Sequence, residues 1–99
     1  MRISEQQAQS IRQIVRETAG VAARARLFGS RLDDAARGGD LDLLVEIPSS
    51  VDRSAALAAR LSARISRAMD GRSVDVVLLA PNLRRLPIHD LSLREGVTL

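Results

Sequence analysis

The chain has no cysteine, lysine, tyrosine or tryptophan, and its one aromatic residue is Phe28. Without cysteine there are no disulfides and no thiolate metal centres. With a single aromatic, base-stacking modes of nucleic-acid recognition are nearly closed off. No apolar run approaches the roughly 20 residues that a membrane span needs, and the first residues, MRISEQQAQSIRQ, lack the apolar core of a secretion signal. The expectation is a soluble cytoplasmic protein. Because all fifteen basic residues are arginine, little titrates between neutral and very high pH, so a pI near 11.2 accompanies a net charge of only +3. The high pI is therefore weak evidence for a nucleic-acid partner.

What is present is an aliphatic globular composition, 45% hydrophobic over 99 residues, enough for a single domain spanning 1–99. Ser4 and Gln7 have capping-box spacing, and Ala8, Ile11, Val15 and Ala19 recur at helical intervals up to Gly20. This predicts a helix over 4–19. A short strand is expected over 24–28, with Ala25 and Leu27 inward, and a second over 40–47, ended by Pro48. Between them lies a Gly-rich loop, with a helical turn expected at 31–36. Leu57, Leu61, Ile65 and Met69 mark a second helix. Arg53, Arg60, Arg64 and Arg67 lie off that stripe, on a solvated face. SVDVVLLA, 73–80, predicts a third strand, expected to be central because it is apolar on both faces except at Asp75. A last helix over 87–95 and a short edge strand over 97–99 complete the order. The fold class is α+β, a small mixed sheet of three to four strands flanked by helices.

The carboxylates are the chemical signal. Side chains alternate along a strand, so Asp40 and Asp42 share one face, with Leu41, Leu43 and Val45 on the other. Two carboxylates roughly 6–7 Å apart repel unless a cation lies between them. Asp75 interrupts an otherwise apolar strand. If that strand lies beside the second, three carboxylates converge into a hard-oxygen site for Mg²⁺ or Mn²⁺. Singly, each has a structural account: Asp40 as a turn residue, Asp42 paired with an arginine, Asp75 as a local cap or ion-pair partner. Gly29-Ser30, ten residues upstream, adds a turn that can approach a phosphate closely and offer N–H and hydroxyl donors.

Together, "LFGSR", "GGDLDLLVE" and Asp75 in the next strand resemble the minimal nucleotidyltransferases of the DNA polymerase β-like superfamily. The resemblance spans essentially the whole chain. It implies transfer of a nucleoside monophosphate from a nucleoside triphosphate, with ATP the expected donor, to an acceptor hydroxyl. Asp40, Asp42 and Asp75 would be catalytic and would hold two Mg²⁺ or Mn²⁺ ions, while Gly29, Ser30 and Arg31 would bind the nucleotide. It also implies a partner: a homo-oligomer, or a heteromer with a small helical HEPN-type protein in a toxin–antitoxin pair. The alternative is a non-catalytic antitoxin or nucleotide-binding module acting by association. Nucleic acid is not an expected partner. Asp33 and Asp34 are read as solvated loop residues. Arg37 is a further candidate for the triphosphate, and Glu46 is read as a surface or arginine-paired residue. His89 is expected on the surface, away from the carboxylates.

Overall fold

A computed structural model describes residues 3–28, 41–85 and 87–99. Among these, helix α1 (Glu5–Ala19) leads into strand β1 (Arg24–Phe28). Strand β2 (Leu41–Glu46), helix α2 (Ser54–Ala68) and strand β3 (Val74–Leu79) follow, then helix α3 (Pro87–Glu95) and strand β4 (Val97–Thr98).

The first helix starts where its sequence says it should. The Gln7 N–H donates to Ser4 Oγ at 3.0 Å, and the Ser4 N–H donates to Gln7 Oε1 at 2.9 Å. This reciprocal box satisfies two backbone donors that a helix start otherwise leaves bare. Gly20 ends the helix at φ 109°, a region closed to most side chains, with its N–H on the Arg16 carbonyl. The second helix has no side-chain cap at Arg53 and closes differently. Asp70 takes φ 60°, and the Gly71 N–H reaches back to the Ser66 carbonyl at 2.8 Å, the six-to-one bond of a Schellman ending.

The strands form one mixed sheet in the order β3-β2-β1-β4. β2 is antiparallel to β1 and parallel to β3, and β4 is antiparallel to β1. The parallel pair requires a crossover, which α2 supplies. Leu41, Leu43 and Val45 of β2 point to one face and, with Ile47 just after the strand, join Leu27 and Ala25 of β1, Val74 and Leu78 of β3, Ile11 and Val15 of α1, and Leu61 and Ile65 of α2 in the main core. The helical stripe expected at Leu61, Ile65 and Met69 is buried, and Leu57 packs against it.

Three expectations need correction. The third strand is not central: β3 is an edge, and its Asp75 is exposed rather than buried. The inner position belongs to β2, whose Leu41, Leu43, Leu44 and Val45 are each 0% exposed. The apolar run of β3 serves α2 on one face and remains half-buried at Val77 and Leu79 on the other. Nor does His89 lie on the surface. It is 2% exposed, and its Nε2 lies 3.0 Å from the Leu78 carbonyl, to which it donates. Arg64 also departs from the solvated face. It donates to Thr18 Oγ1 at 2.6 Å and to Glu17 Oε1 at 2.8 Å, joining α2 to α1.

Candidate functional site

The face of the sheet opposite α1 and α2 is built in rows by the register. Phe28, Asp42 and Asp75 stand abreast in the first row, because Phe28 pairs with Asp42 and Asp42 with Asp75. Arg26, Leu44 and Val77 form the second row, and Arg24, Glu46 and Leu79 the third. Alternation puts all nine side chains on one side. Phe28 is 6% exposed and Leu44 is 0% exposed, so this side has an apolar floor of its own. Asp42 is half-buried and Asp75 exposed, so the first row opens from a packed wall at Phe28 to solvent at β3.

Of the residues singled out from the sequence, the structure thus brings Asp42 and Asp75 together on neighbouring strands, about 4.8 Å apart in the hydrogen-bonding direction. Gly29, Ser30, Arg31 and Asp40 lie outside the described residues, as do Asp33, Asp34 and Arg37. Covalently, Gly29 follows Phe28 and Asp40 precedes Leu41, so both are bonded to strand ends that border the Asp42 row. Among the described residues no three carboxylates or histidines gather into a metal-binding group. The pair that does form has the donor chemistry for a hard divalent cation. Both groups are carboxylates, they share a face, and one side is open to solvent for water or substrate oxygens. His89, held against the Leu78 carbonyl, is not part of this row.

Glu46, the third acidic residue on this face, belongs to a different arrangement. Its Oε1 takes the Arg26 Nε–H at 2.7 Å, diagonally across the strands. This is the arginine-paired role expected of it. Near it, a cleft of about 350 Å³ is lined by Arg24, Glu46, Leu79 and Arg85 at the opposite end of β2 and β3 from the two aspartates. Roughly four residues of strand rise, about 13 Å, separate Glu46 from Asp42, and the wholly buried Leu44 lies between them. The cleft is therefore not a continuation of the carboxylate row.

Three side chains have roles here that the sequence did not give them. Phe28 walls the row beside Asp42. Ser62 of α2 donates its hydroxyl to the Val74 carbonyl, next to Asp75. His89 does the same for the Leu78 carbonyl farther along β3. Ser62 carried a weak signal, a hydroxyl beside Leu61 in a helix whose inward stripe is otherwise aliphatic.

The family model described as a nucleotidyltransferase domain matches residues 8–95. No curated protein matches the chain. The matched span includes every described strand but β4, and with it both members of the Asp42/Asp75 pair.

Proposed function

Because the chain belongs to the nucleotidyltransferase domain family, we propose that it transfers a nucleoside monophosphate from a nucleoside triphosphate to an acceptor hydroxyl in a metal-dependent reaction. The observation that carries this reading is the register that sets Asp42 directly beside Asp75 at the open end of a packed sheet face. Asp40, two residues before Asp42 in the sequence, completes the proposed set, and residues 1–99 act as one domain. Mg²⁺ or Mn²⁺ bound there, as two ions, would supply charge neutralisation on the leaving pyrophosphate and acidify the attacking hydroxyl.

The chain's own residues do the rest. Asp42, and Asp40 two residues before it in the sequence, would supply carboxylate oxygens to the ions. Asp75, from the neighbouring strand, accepts the acceptor's proton as its oxygen bonds to the α-phosphorus and the bond to the bridging oxygen breaks. Gly29 and Ser30 donate N–H and hydroxyl hydrogens to the phosphates, and the Arg31 guanidinium meets their charge. ATP is the proposed donor. The acceptor hydroxyl lies on another molecule if it is a tyrosine, since this chain has none. A small helical HEPN-type partner, in a cytoplasmic toxin–antitoxin pair, is the proposed source. No described helix is long and apolar enough to cross a membrane.

The test is Asp42→Asn, a near-isosteric change that removes one charge. With Mg²⁺ or Mn²⁺, α-labelled ATP and the co-purified partner, the wild type should label the acceptor and release pyrophosphate. The variant should lose about a hundredfold or more of that rate with an unchanged circular dichroism spectrum. Full transfer by Asp42→Asn would show that Asp42 has no part in the chemistry.

A further inference from the structure

β3 is an edge strand that carries one of the two aspartates. An edge has a ladder on one side only, so its backbone is less constrained than that of β2. The ladder bonds fix which groups face which way. The Leu41 N–H donates to the Ser73 carbonyl at 2.9 Å, and the Ile47 N–H donates to the Leu79 carbonyl at 2.8 Å. Odd-numbered residues of β3 therefore direct their backbone groups toward β2, and the carbonyls of Val74, Val76 and Leu78 face outward. Two of these three outward carbonyls are taken by side chains. Ser62 of α2 donates to Val74, and His89 of α3 donates to Leu78.

The Val74 carbonyl belongs to the same planar peptide as the Asp75 N–H. In this register that N–H faces the Leu41 carbonyl. The peptide leading into Asp75 is thus gripped from both sides, by β2 and by Ser62, and its plane fixes the direction in which the Asp75 side chain leaves the strand. We propose that Ser62 is a positioning residue for Asp75. Through the Val74 carbonyl it holds the edge-strand carboxylate abreast of Asp42, in the geometry that two carboxylates need to share a divalent cation. This rests on the metal-dependent reading of the site. Ser62 touches neither nucleotide nor metal. Its effect passes entirely through the orientation of one peptide, which is why an edge strand can carry a ligand that must be placed to within a fraction of an ångström.

The experiment is a cycle of four full-length proteins: wild type, Ser62→Ala, Asp75→Asn and the double variant. Mn²⁺ binding is followed by loss of the free-ion paramagnetic resonance signal, with melting curves run in parallel. Removing a group that orients a metal ligand costs about 10- to 100-fold in metal affinity. Ser62→Ala is expected to weaken Mn²⁺ binding by about tenfold, and Ser62→Thr, which keeps the hydroxyl, to restore most of it. In the Asp75→Asn background, Ser62→Ala should change Mn²⁺ affinity no further, because the ligand it orients is already gone. If Ser62→Ala binds Mn²⁺ as the wild type does, or weakens it equally in both backgrounds, the positioning role is wrong while the carboxylate site stands. If the wild type binds no Mn²⁺, with or without ATP, the site reading itself fails and the positioning role falls with it.

Discussion

The two ends of the parallel pair β2–β3 handle polar groups in opposite ways. At the far end, Glu46 is matched by Arg26 at 2.7 Å. The segments that leave the strands there are joined by Asn82, which accepts the Val51 N–H and donates to the Val51 carbonyl, both at 2.9 Å. Opposite charges meet, and a side-chain amide stands in for a strand partner. At the near end, the same register sets Asp42 against Asp75, like charge beside like charge. Like charges directly opposite across a sheet are destabilising. One end is therefore arranged for stability. The other sets two carboxylates abreast, and a cation bound between them would relieve their mutual repulsion.

The largest effect follows from that contrast. A ligand that binds only the folded chain stabilises it by roughly 2.7 kcal/mol at a hundredfold excess over its dissociation constant. Mg²⁺ with ATP should raise the wild-type melting temperature accordingly. Asp75→Asn removes one of the two carboxylates that would hold the cation, so it should gain much less from Mg²⁺ and nucleotide than the wild type does. The measurement is melting curves for both proteins in each condition. An Asp75→Asn variant that gains as much from Mg²⁺ and ATP as the wild type would mean that Asp75 holds no cation, and the contrast between the two ends would vanish.

A smaller effect is expected at the far end, and with the opposite sign. Asn82→Ala removes two hydrogen bonds that link the segment after β2 to the segment after β3. These bonds are exposed, so their loss should cost about 1 kcal/mol in total. That corresponds to a drop of several degrees, about 4–8 °C, in a domain of this size. The drop should be the same with and without Mg²⁺ and ATP. A metal-dependent change would show that the two ends are coupled, and their separation by the buried Leu44 would need another explanation.

How far the sequence foretold this molecule depended on whether the signal was local. The capping box at Ser4 and Gln7, the aliphatic stripe of α2 and the alternation in β2 are short-range patterns, and each marked an element that the structure contains. The pairing of Asp42 with Asp75 was open to inference because a crossover helix between two strands implies a parallel neighbour. The edge position of β3 was not. Apolar content reports burial, and α2 buries Val74 and Leu78 whether or not a further strand lies beyond them. His89 and Ser62 were missed for a related reason. Their partners are backbone carbonyls that face outward only because β3 is an edge, which no residue type announces.

The smallest effect concerns a third charged contact, between the two helices rather than across the sheet, and it separates ordinary surface pairing from the carboxylate row. Glu17 on α1 accepts from Arg64 of α2 at 2.8 Å and from Gln13 at 3.2 Å. The Arg64 hydrogen bond, then the Gln13 bond, hold the Glu17 carboxyl below its ordinary value of 4.5. A carboxyl whose folded-state pKa is depressed binds protons less readily folded than unfolded. Its contribution is therefore fully present above the unfolded value and lost as pH falls through the lower, folded one. Both partners are substantially exposed to solvent, so salt will weaken the contact further. Glu17→Gln should melt slightly below the wild type at neutral pH in low salt. The gap should close as the pH is taken well below 4.5, and it should narrow at high salt. It should also be indifferent to Mg²⁺ and ATP, unlike the change caused by Asp75→Asn. Thermal melts of the two proteins at several pH values check this. A gap that widens in acid would mean that Glu17 is raised, not lowered, by its surroundings, and that Arg64 joins the helices through Thr18 alone.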